Sequence, residues 1–491
     1  MLDCVVRCVP AREMAGGDDE PVALMGRRVL LVSLNRCLTP DPVFPIGLSH
    51  LNAALRSSGY ETRWFDLQSD PGTLESVLSE FRPTCVGISI RNIDDVLIRK
   101  REVFFNELGT ICRNIRALNP CPIVLGGSGF SIFPKSLLEQ SGADFGIRGE
   151  GEESFVALLS ALSNDCDWTG ISGLVFRSNG EAVVNPPRPL RPETGLDVTD
   201  RPLPLVEHYL SVSGMMNLQT QRGCSHTCCY CTYPVIEGRT HRRRPPEVVA
   251  EELAQLQGQG VKYVVIVDSV FNSTEQHVVE TCEAILRRNV TMRWSCFLRP
   301  QGLTPALMKL MARAGLAHVE FGSDSFCDSV LEAYGKRLTF EEILHSSDLA
   351  RQEGLDCCHY LICGGPGETF GTLETSFQNS LRLNGAVIMA VVGMRVYPGT
   401  PLFQRALAEG CVVPDADLLQ PTYYLAPGLT TETVFERLRG FAQRSPSWIV
   451  GDPSPAYVSL TERLRRRGVV GPLWSYFAMI QRLWPQPTAE V

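Results

Sequence analysis

The stretch QRGCSHTCCYCTYP, residues 221–234, places four cysteines, Cys224, Cys228, Cys229 and Cys231, within eight positions. A disulfide clasp, a zinc knuckle and an iron–sulfur loop all use cysteines at such short spacing. The opening MLDCVVRCVPAREMAGGDDE has no basic start followed by a long apolar run, so no secretory signal is expected and the protein is expected in the cytoplasm. A disulfide framework is disfavoured there, which leaves metal binding or catalysis for a cysteine cluster. Soft thiolates select zinc, copper(I) or iron–sulfur clusters. Structural zinc takes four ligands, usually with a second closely spaced pair. Cys357 and Cys358 are adjacent and poorly placed to chelate one ion from one side.

Outward from this loop the chain alternates. NLQTQRG precedes the cysteines. Helical patterns such as PPEVVAEELAQLQGQG, TPALMKLMARAG and TFEEILHSSDLARQEG then separate strand-like runs such as KYVVIVDS, TMRWSCFLR, HVEFGSDS and CCHYLICGGPGE. About six β/α units over residues 216–425 predict a partial (β/α)6 barrel of the TIM type, with the cysteine loop after its first strand. Residues 426–491 are expected to form a mostly helical C-terminal extension, with TETVFERLRGFAQR and SLTERLRRRG as helices.

Upstream, RRVLLVSL, ETRWFDL, TCVGISI and CPIVLGGSG alternate with helical patterns over residues 27–164. Buried strands alternating with amphipathic helices predict a doubly wound, Rossmann-like α/β domain, with any ligand at the carboxyl ends of its strands. Residues 165–215 read as a linker. It holds short strands around an Asn-Gly turn signal in SGLVFRSNGEAVVN, then the proline-rich PPRPLRPETGLDVTDRPLPLVEHY. Residues 1–26 are unpatterned and read as a loose leader.

Bulk properties narrow the function. The 491 residues carry a net charge of -8 with pI about 5.6, which argues against a chain-wide nucleic-acid-binding role. No run of about 18–20 apolar residues appears. The best candidate, GAVIMAVVGMRVYP at 385–398, suits a buried strand better.

Cys224, Cys228 and Cys231 form C-x3-C-x2-C, and with the flanking RGC and C-x-Y-C the loop resembles that of the radical SAM superfamily. The resemblance implies that three thiolates hold a [4Fe-4S] cluster whose fourth iron binds the amino and carboxylate groups of S-adenosylmethionine (SAM). An electron from the cluster then cleaves the sulfonium and yields a 5′-deoxyadenosyl radical. An external donor such as flavodoxin or ferredoxin is implied. Cys229 is then the spare, expected to face the core as a small hydrophobe.

The same resemblance implies SAM contacts elsewhere. Tyr230 would shield the cluster or touch the adenine. Asp268 and Ser269 would lie at the barrel mouth, as would Asp324 and Ser325, where relatives often carry Glu-Ser. Arg299 would meet the SAM carboxylate, and Gly364, Gly365 and Gly367 of LICGGPGE would lie against the adenine. No catalytic residue is assigned beyond the cluster ligands.

A doubly wound domain ahead of such a barrel, joined by a proline-rich linker, resembles the cobalamin-binding class of the superfamily. The resemblance runs from residue 27 to about 425, through PIGLSHLNAALRSSGYE, GISIRNIDD, VLGGSGFSIFP and DFGIRGEGEESF. It implies that Gly126, Gly127, Ser128 and Ser131 lie near the nucleotide tail, and that Gly149 and Glu150 of GEGE close the domain onto the barrel. Better-known cobalamin modules carry D-x-H-x-x-G after the first strand. LNRCLTPDPVFP contains no histidine, so a strongly ligated lower face is not expected, and His50 reads as a polar helix position.

The implied activity is methylation of an unactivated carbon in a lipid or secondary metabolite, with a second SAM regenerating methylcobalamin. Radical cyclisation or rearrangement with the same cofactors is the alternative, and the motif set also resembles proteins of lipid-biosynthesis, ladderane-type clusters. A tRNA methylthiotransferase is a third reading, and a non-enzymatic scaffold a fourth. Arg242, Arg243 and Arg244 could touch phosphates but read better as a solvated face, and no nucleic-acid partner is expected. LWSYFAMIQRLWP at 473–485 could cover a lipid-like substrate or meet a membrane surface; packing as a terminal helix on the barrel is the favoured expectation.

Overall fold

The computed structural model describes residues 27–38, 41–188, 199–451 and 455–476. The leader expected at 1–26, part of the proline-rich linker and residues 477–485 of the aromatic tail lie outside them. The described chain forms two compact units. The first takes in most of the chain to Leu190, and the second the remainder together with segments 37–44 and 94–102.

The first unit is built on β1 (Arg28–Ser33), β2 (Glu61–Asp66), β3 (Cys85–Ser89), β4 (Ile123–Gly126), β5 (Phe145–Ile147), β6 (Leu174–Ser178) and β7 (Glu181–Val184). Their order is β2-β1-β3-β4-β5-β6-β7, parallel through β5 and antiparallel beyond it. Val29 to Val32 are fully buried because β1 is covered on both faces, which is why it reads as an unbroken apolar run. The order 2-1-3-4-5 reverses between β1 and β3, the position where doubly wound sheets bind ligands. His50 is buried in the helix Ile46–Ser57, so it is not a surface position.

The linker expectation is corrected in its first half. β6 and β7 extend the first sheet through a hairpin, and Phe145 of β5 faces Phe176 of β6 in register. Their turn is the Asn179-Gly180 pair, both at positive φ (50° and 85°), as the tight primed hairpin turns require. The first unit therefore does not end at residue 164.

The second unit contains β8 (Met216–Leu218), β9 (Gln221–Arg222), β10 (Arg242–Arg243), β11 (Tyr263–Ile266), β12 (Arg293–Leu298), β13 (Leu316–Asp324), β14 (Asp356–Cys363), β15 (Val387–Val392), β16 (Met394–Arg395), β17 (Tyr423–Tyr424) and β18 (Trp448–Val450). Its main sheet runs β18-β15-β14-β13-β12-β11-β8 and is parallel throughout. The six expected strands are present. The seventh, β18, comes from the extension expected to be mostly helical, so the sheet continues past residue 425. Six helices of this unit begin behind a threonine (274, 304, 339, 369, 400 and 430) whose hydroxyl accepts the backbone N–H three residues on.

Register sets the two faces of this sheet. Ser295 pairs with His318, Phe297 with Glu320, Glu320 with Cys358, and Tyr360 with Met389, so these side chains share one face. Tyr360 Oη donates to Glu320 Oε2 at 2.8 Å, and Tyr263 Oη lies 2.7 Å from His318 Nδ1. Trp474 seats edge-on against His318 and packs with Cys358 and Val387, so the start of the aromatic tail is buried on this unit.

Candidate active site

The cysteine loop is clamped at its base. β9 and β10 pair antiparallel, Arg222 opposite Arg242 and Gln221 opposite Arg243, which fixes both ends of the segment between them. Gly223 (φ 88°) crosses so close to the returning chain that a Cβ would stand 2.1 Å from the Thr240 carbonyl. Only glycine fits there. Glu237 accepts the Gly223 N–H at 2.9 Å and a Gln219 side-chain N–H at 3.1 Å, drawing the loop's return strand against its start.

On this frame Cys224 is buried and Cys228 and Cys231 are partly buried. Burial pushes the Cys231 thiol up to about 12 and raises Cys228 as well, so both thiols favour the protonated form at neutral pH. Binding a cationic cluster would displace those protons. Among the described residues no three His, Cys, Asp or Glu side chains converge to hold a single metal ion. Three thiols that each take a different iron of a larger cluster suit the loop as a donor set. Cys229 is partly buried rather than a core residue, and it is held by its backbone: its N–H donates to the Tyr334 carbonyl (2.9 Å) and its carbonyl accepts from Leu402 N–H (2.8 Å).

The expected SAM residues fall into two groups. Tyr230, Asp324 and Arg299 gather beside the loop. Tyr230 Oη donates to Asp324 Oδ2 at 2.5 Å, and Lys336 Nζ pairs with the same oxygen at 2.7 Å. Asp324 ends β13 in the left-handed region (φ 65°), a strained conformation for a non-glycine residue. The Arg299 guanidinium donates to the backbone carbonyls of Lys336 and Arg337. Ser269 Oγ donates to the Gly223 carbonyl at 2.8 Å and so braces the loop's entry.

The second group is absorbed by the protein itself. Asp268 accepts the Thr220 and Gln221 backbone N–H groups (2.7 and 3.2 Å) and the Thr220 hydroxyl, which also meets His277 Nε2 at 2.9 Å. It is 1% exposed, and burial pushes its carboxyl up to about 7. Its partners are Thr220 and Gln221 at the start of the cysteine-loop hairpin, so its carboxylate is engaged internally. Ser325 is likewise buried, against Ser376 and the Cys327 N–H. The space beside Gly365 is filled by the Tyr334 hydroxyl, 2.4 Å from where a Cβ would stand, and beside Gly364 by Leu425. Gly367 takes φ 77° in the same turn. The small size of Gly364 and Gly365 serves this internal packing.

In the first unit, Gly126 ends β4, and Gly127, Ser128 and Ser131 follow it. A Cβ on Gly127 (φ 98°) would meet the Ile90 carbonyl at 2.6 Å, whereas one on Gly126 would meet nothing nearer than 3.9 Å. Gly126 is thus the position that leaves room beside the strand end. Ser128 Oγ donates to the Arg91 carbonyl (2.8 Å). Ser131 Oγ donates to the Gly127 carbonyl and accepts the Gly149 N–H, both at 2.9 Å, so the glycine turns at 127 and 149 are tied by one buried hydroxyl. Glu150 follows, partly exposed.

The arginine run is corrected. Arg242 and Arg244 are 2% and 1% exposed. Arg244 and Arg201 both bind Glu252 at 2.7 Å, so Arg242 and Arg244 anchor the loop from inside, while the partly exposed Arg243 donates to the Thr274 hydroxyl. Lys336 and Tyr334 are the site residues that sequence reasoning missed. Their only local signal is the Gly-Lys step in AYGKR, closing the short helix after β13.

Comparison with known proteins agrees with this layout. The radical SAM superfamily model matches residues 218–378, and the B12 binding domain model matches residues 39–159. A tryptophan 2-C-methyltransferase from Streptomyces laurentii is 26% identical over 454 residues, covering 79% of this chain and 76% of that protein. A cytidylyl-2-hydroxyethylphosphonate methyltransferase from Streptomyces wedmorensis is 24% identical, covering 81% and 85%. The structure of TsrM from Kitasatospora setae, a radical SAM methyltransferase with cobalamin and a [4Fe-4S] cluster bound, superposes with a TM-score of 0.84 at 26% identity, covering 94% of this chain and 98% of that one.

Proposed function

This chain is a cobalamin-binding radical SAM enzyme, and we propose that it transfers a methyl group to an unactivated carbon of a small molecule. The observation that carries the reading is the coexistence of two sites in one chain. One is a clamped three-thiol loop at the first strand of a parallel β/α sheet; the other is a doubly wound sheet with an opened glycine turn after β4. All three similar proteins named above carry methyltransferase names, which supports methylation over cyclisation or rearrangement with the same cofactors.

In this reading Cys224, Cys228 and Cys231 hold the cluster, and Gly126, Gly127, Ser128, Ser131, Gly149 and Glu150 shape the cobalamin site. When bound, the cluster supplies a low-potential electron for reductive cleavage of SAM, and cobalamin supplies the methyl group. The remaining work belongs to side chains. Tyr230, locked by Asp324, keeps its ring in one orientation beside the ligating cysteines. Arg299 and Ser269 hold the two backbone turns that flank the loop. Phe297, Tyr360 and Met389 share the sheet face of Glu320 and offer a mostly apolar lining with one carboxyl. Such a lining suits a substrate with an apolar or aromatic body, a lipid-like one included. An electron donor of the flavodoxin or ferredoxin type completes the system.

The test is anaerobic reconstitution with iron, sulfide and cobalamin, followed by product analysis with candidate substrates. Methylation requires 5′-deoxyadenosine and S-adenosylhomocysteine to form together with methylated product. Turnover without S-adenosylhomocysteine would rule methylation out. A Cys224/Cys228/Cys231→Ala variant is expected to bind no cluster and to cleave no SAM.

A further inference from the structure

We propose that Lys336 is a positioning residue whose buried positive charge raises the reduction potential of the cluster held by the cysteine loop; the inference rests on the cluster reading given above. Lys336 follows a short helix, Asp328–Ala333, in a turn packed directly on the loop. The Cys229 N–H donates to the Tyr334 carbonyl, and Thr227 Oγ1 donates to the Gly335 carbonyl at 3.3 Å. Gly335 (φ 73°) lies so near that a Cβ would stand 2.6 Å from the Thr227 carbonyl. The turn therefore cannot drift away from the loop without breaking several contacts.

The side chain is buried, 8% exposed, and its ammonium meets Asp324, which is 5% exposed. Asp324 in turn binds Tyr230, the residue between Cys229 and Cys231. The ammonium lies near the β13 backbone as well, 3.9 Å from where a Cβ on Gly322 would stand. The residue before Lys336, Gly335, lies against Cys228 itself, where a Cβ on Gly335 would stand 3.9 Å from the Cys228 Cα. Arg299, bonded to the Lys336 carbonyl, brings a second cation, so two positive charges and one carboxylate flank the loop.

Burying an ion pair gains little stability over an apolar replacement, so stability is a weak reason for this one. Its placement matters more. Reduction of the cluster adds one electron from a low-potential one-electron donor, with no bond made or broken and no proton transferred. The product carries one more negative charge at the same place. A fixed cation in a poorly hydrated site stabilises that product over the oxidised form and shifts the equilibrium toward reduction. Asp324 opposes the effect, but it also orients the ammonium and Tyr230 in one geometry.

The experiment is an EPR-monitored redox titration, with dithionite as donor, of the reconstituted full chain without SAM. Iron and sulfide are counted in each sample. Lys336→Met and Lys336→Gln are expected to move the midpoint to more negative potential at full cluster content, and Lys336→Arg to stay near the parent value. A parent-like midpoint in either neutral variant would overturn the proposal. So would an Arg variant that moves as far as the Met variant, since packing and not charge would then be responsible. Failure of the parent chain to bind four irons is a different result, and it would count against the cluster reading itself.

Discussion

At Gly223 a single hydrogen atom decides whether the cysteine loop can close. Its φ of 88° and the 2.1 Å approach of the Thr240 carbonyl exclude any side chain. Gly223→Ala is expected to lower iron incorporation at least several-fold and to cost more than about 1 kcal/mol, read by iron content and denaturant melts. A second residue-scale effect lies at Glu320, whose carboxyl is pushed up to about 7 from 4.5, chiefly by burial, while the Tyr360 bond works the other way. The folded state therefore keeps a proton that the unfolded chain releases, and this contribution is lost as pH rises from about 4.5 to 7. Glu320→Gln is free of that loss. Its stability relative to the parent should rise by up to about 3 kcal/mol between pH 4.5 and 8 in parallel urea titrations. The cysteine spacing was legible in sequence because ligands of one loop are close in the chain. Lys336 was not, since what gives it meaning is Asp324 and, through it, a tyrosine 94 residues before Asp324.

At the scale of elements, the segment β10 shows where local pattern misleads. Three consecutive arginines read as solvated, yet the β9–β10 pairing turns Arg242 and Arg244 inward, and Glu252 on the helix Pro246–Gly258 receives Arg244 and Arg201 together. Thr199 adds a hydroxyl bond to the same carboxylate. Glu252→Ala leaves two buried guanidinium groups without their anion. It should cost about 3–5 kcal/mol, read by chemical denaturation, with cluster content falling in step because the loop's base is released. The hairpin β6–β7 was legible as a turn from Asn179-Gly180. Its membership of the first sheet was not, because an edge pairing depends on which strand is nearby and not on the hairpin's own residues.

Across the whole molecule, the C-terminal residues complete the second unit. β18 pairs with β15, and Trp448 packs on Phe377 and Phe441. Trp474 covers the face that carries His318 and Cys358, and Arg465 pairs with Asp41 at 2.9 Å. A chain ending at residue 425 is expected to expose this apolar face and unfold at clearly lower denaturant concentration than the full chain, or to aggregate, as read by urea titration and size-exclusion chromatography. Sequence alone determined the two α/β halves and singled out Cys224, Cys228 and Cys231 as the thiols proposed to hold the cluster, because hydrophobic period and cysteine spacing are properties of neighbouring residues. Only the tertiary structure decided that Arg242 and Arg244 are buried, that Asp268 and Ser325 are spent on internal bonds, that Tyr334 fills the space beside Gly365, and that Lys336 stands beside the cysteine loop. Those outcomes depend on which distant groups share a low-dielectric space, and packing alone brings them together.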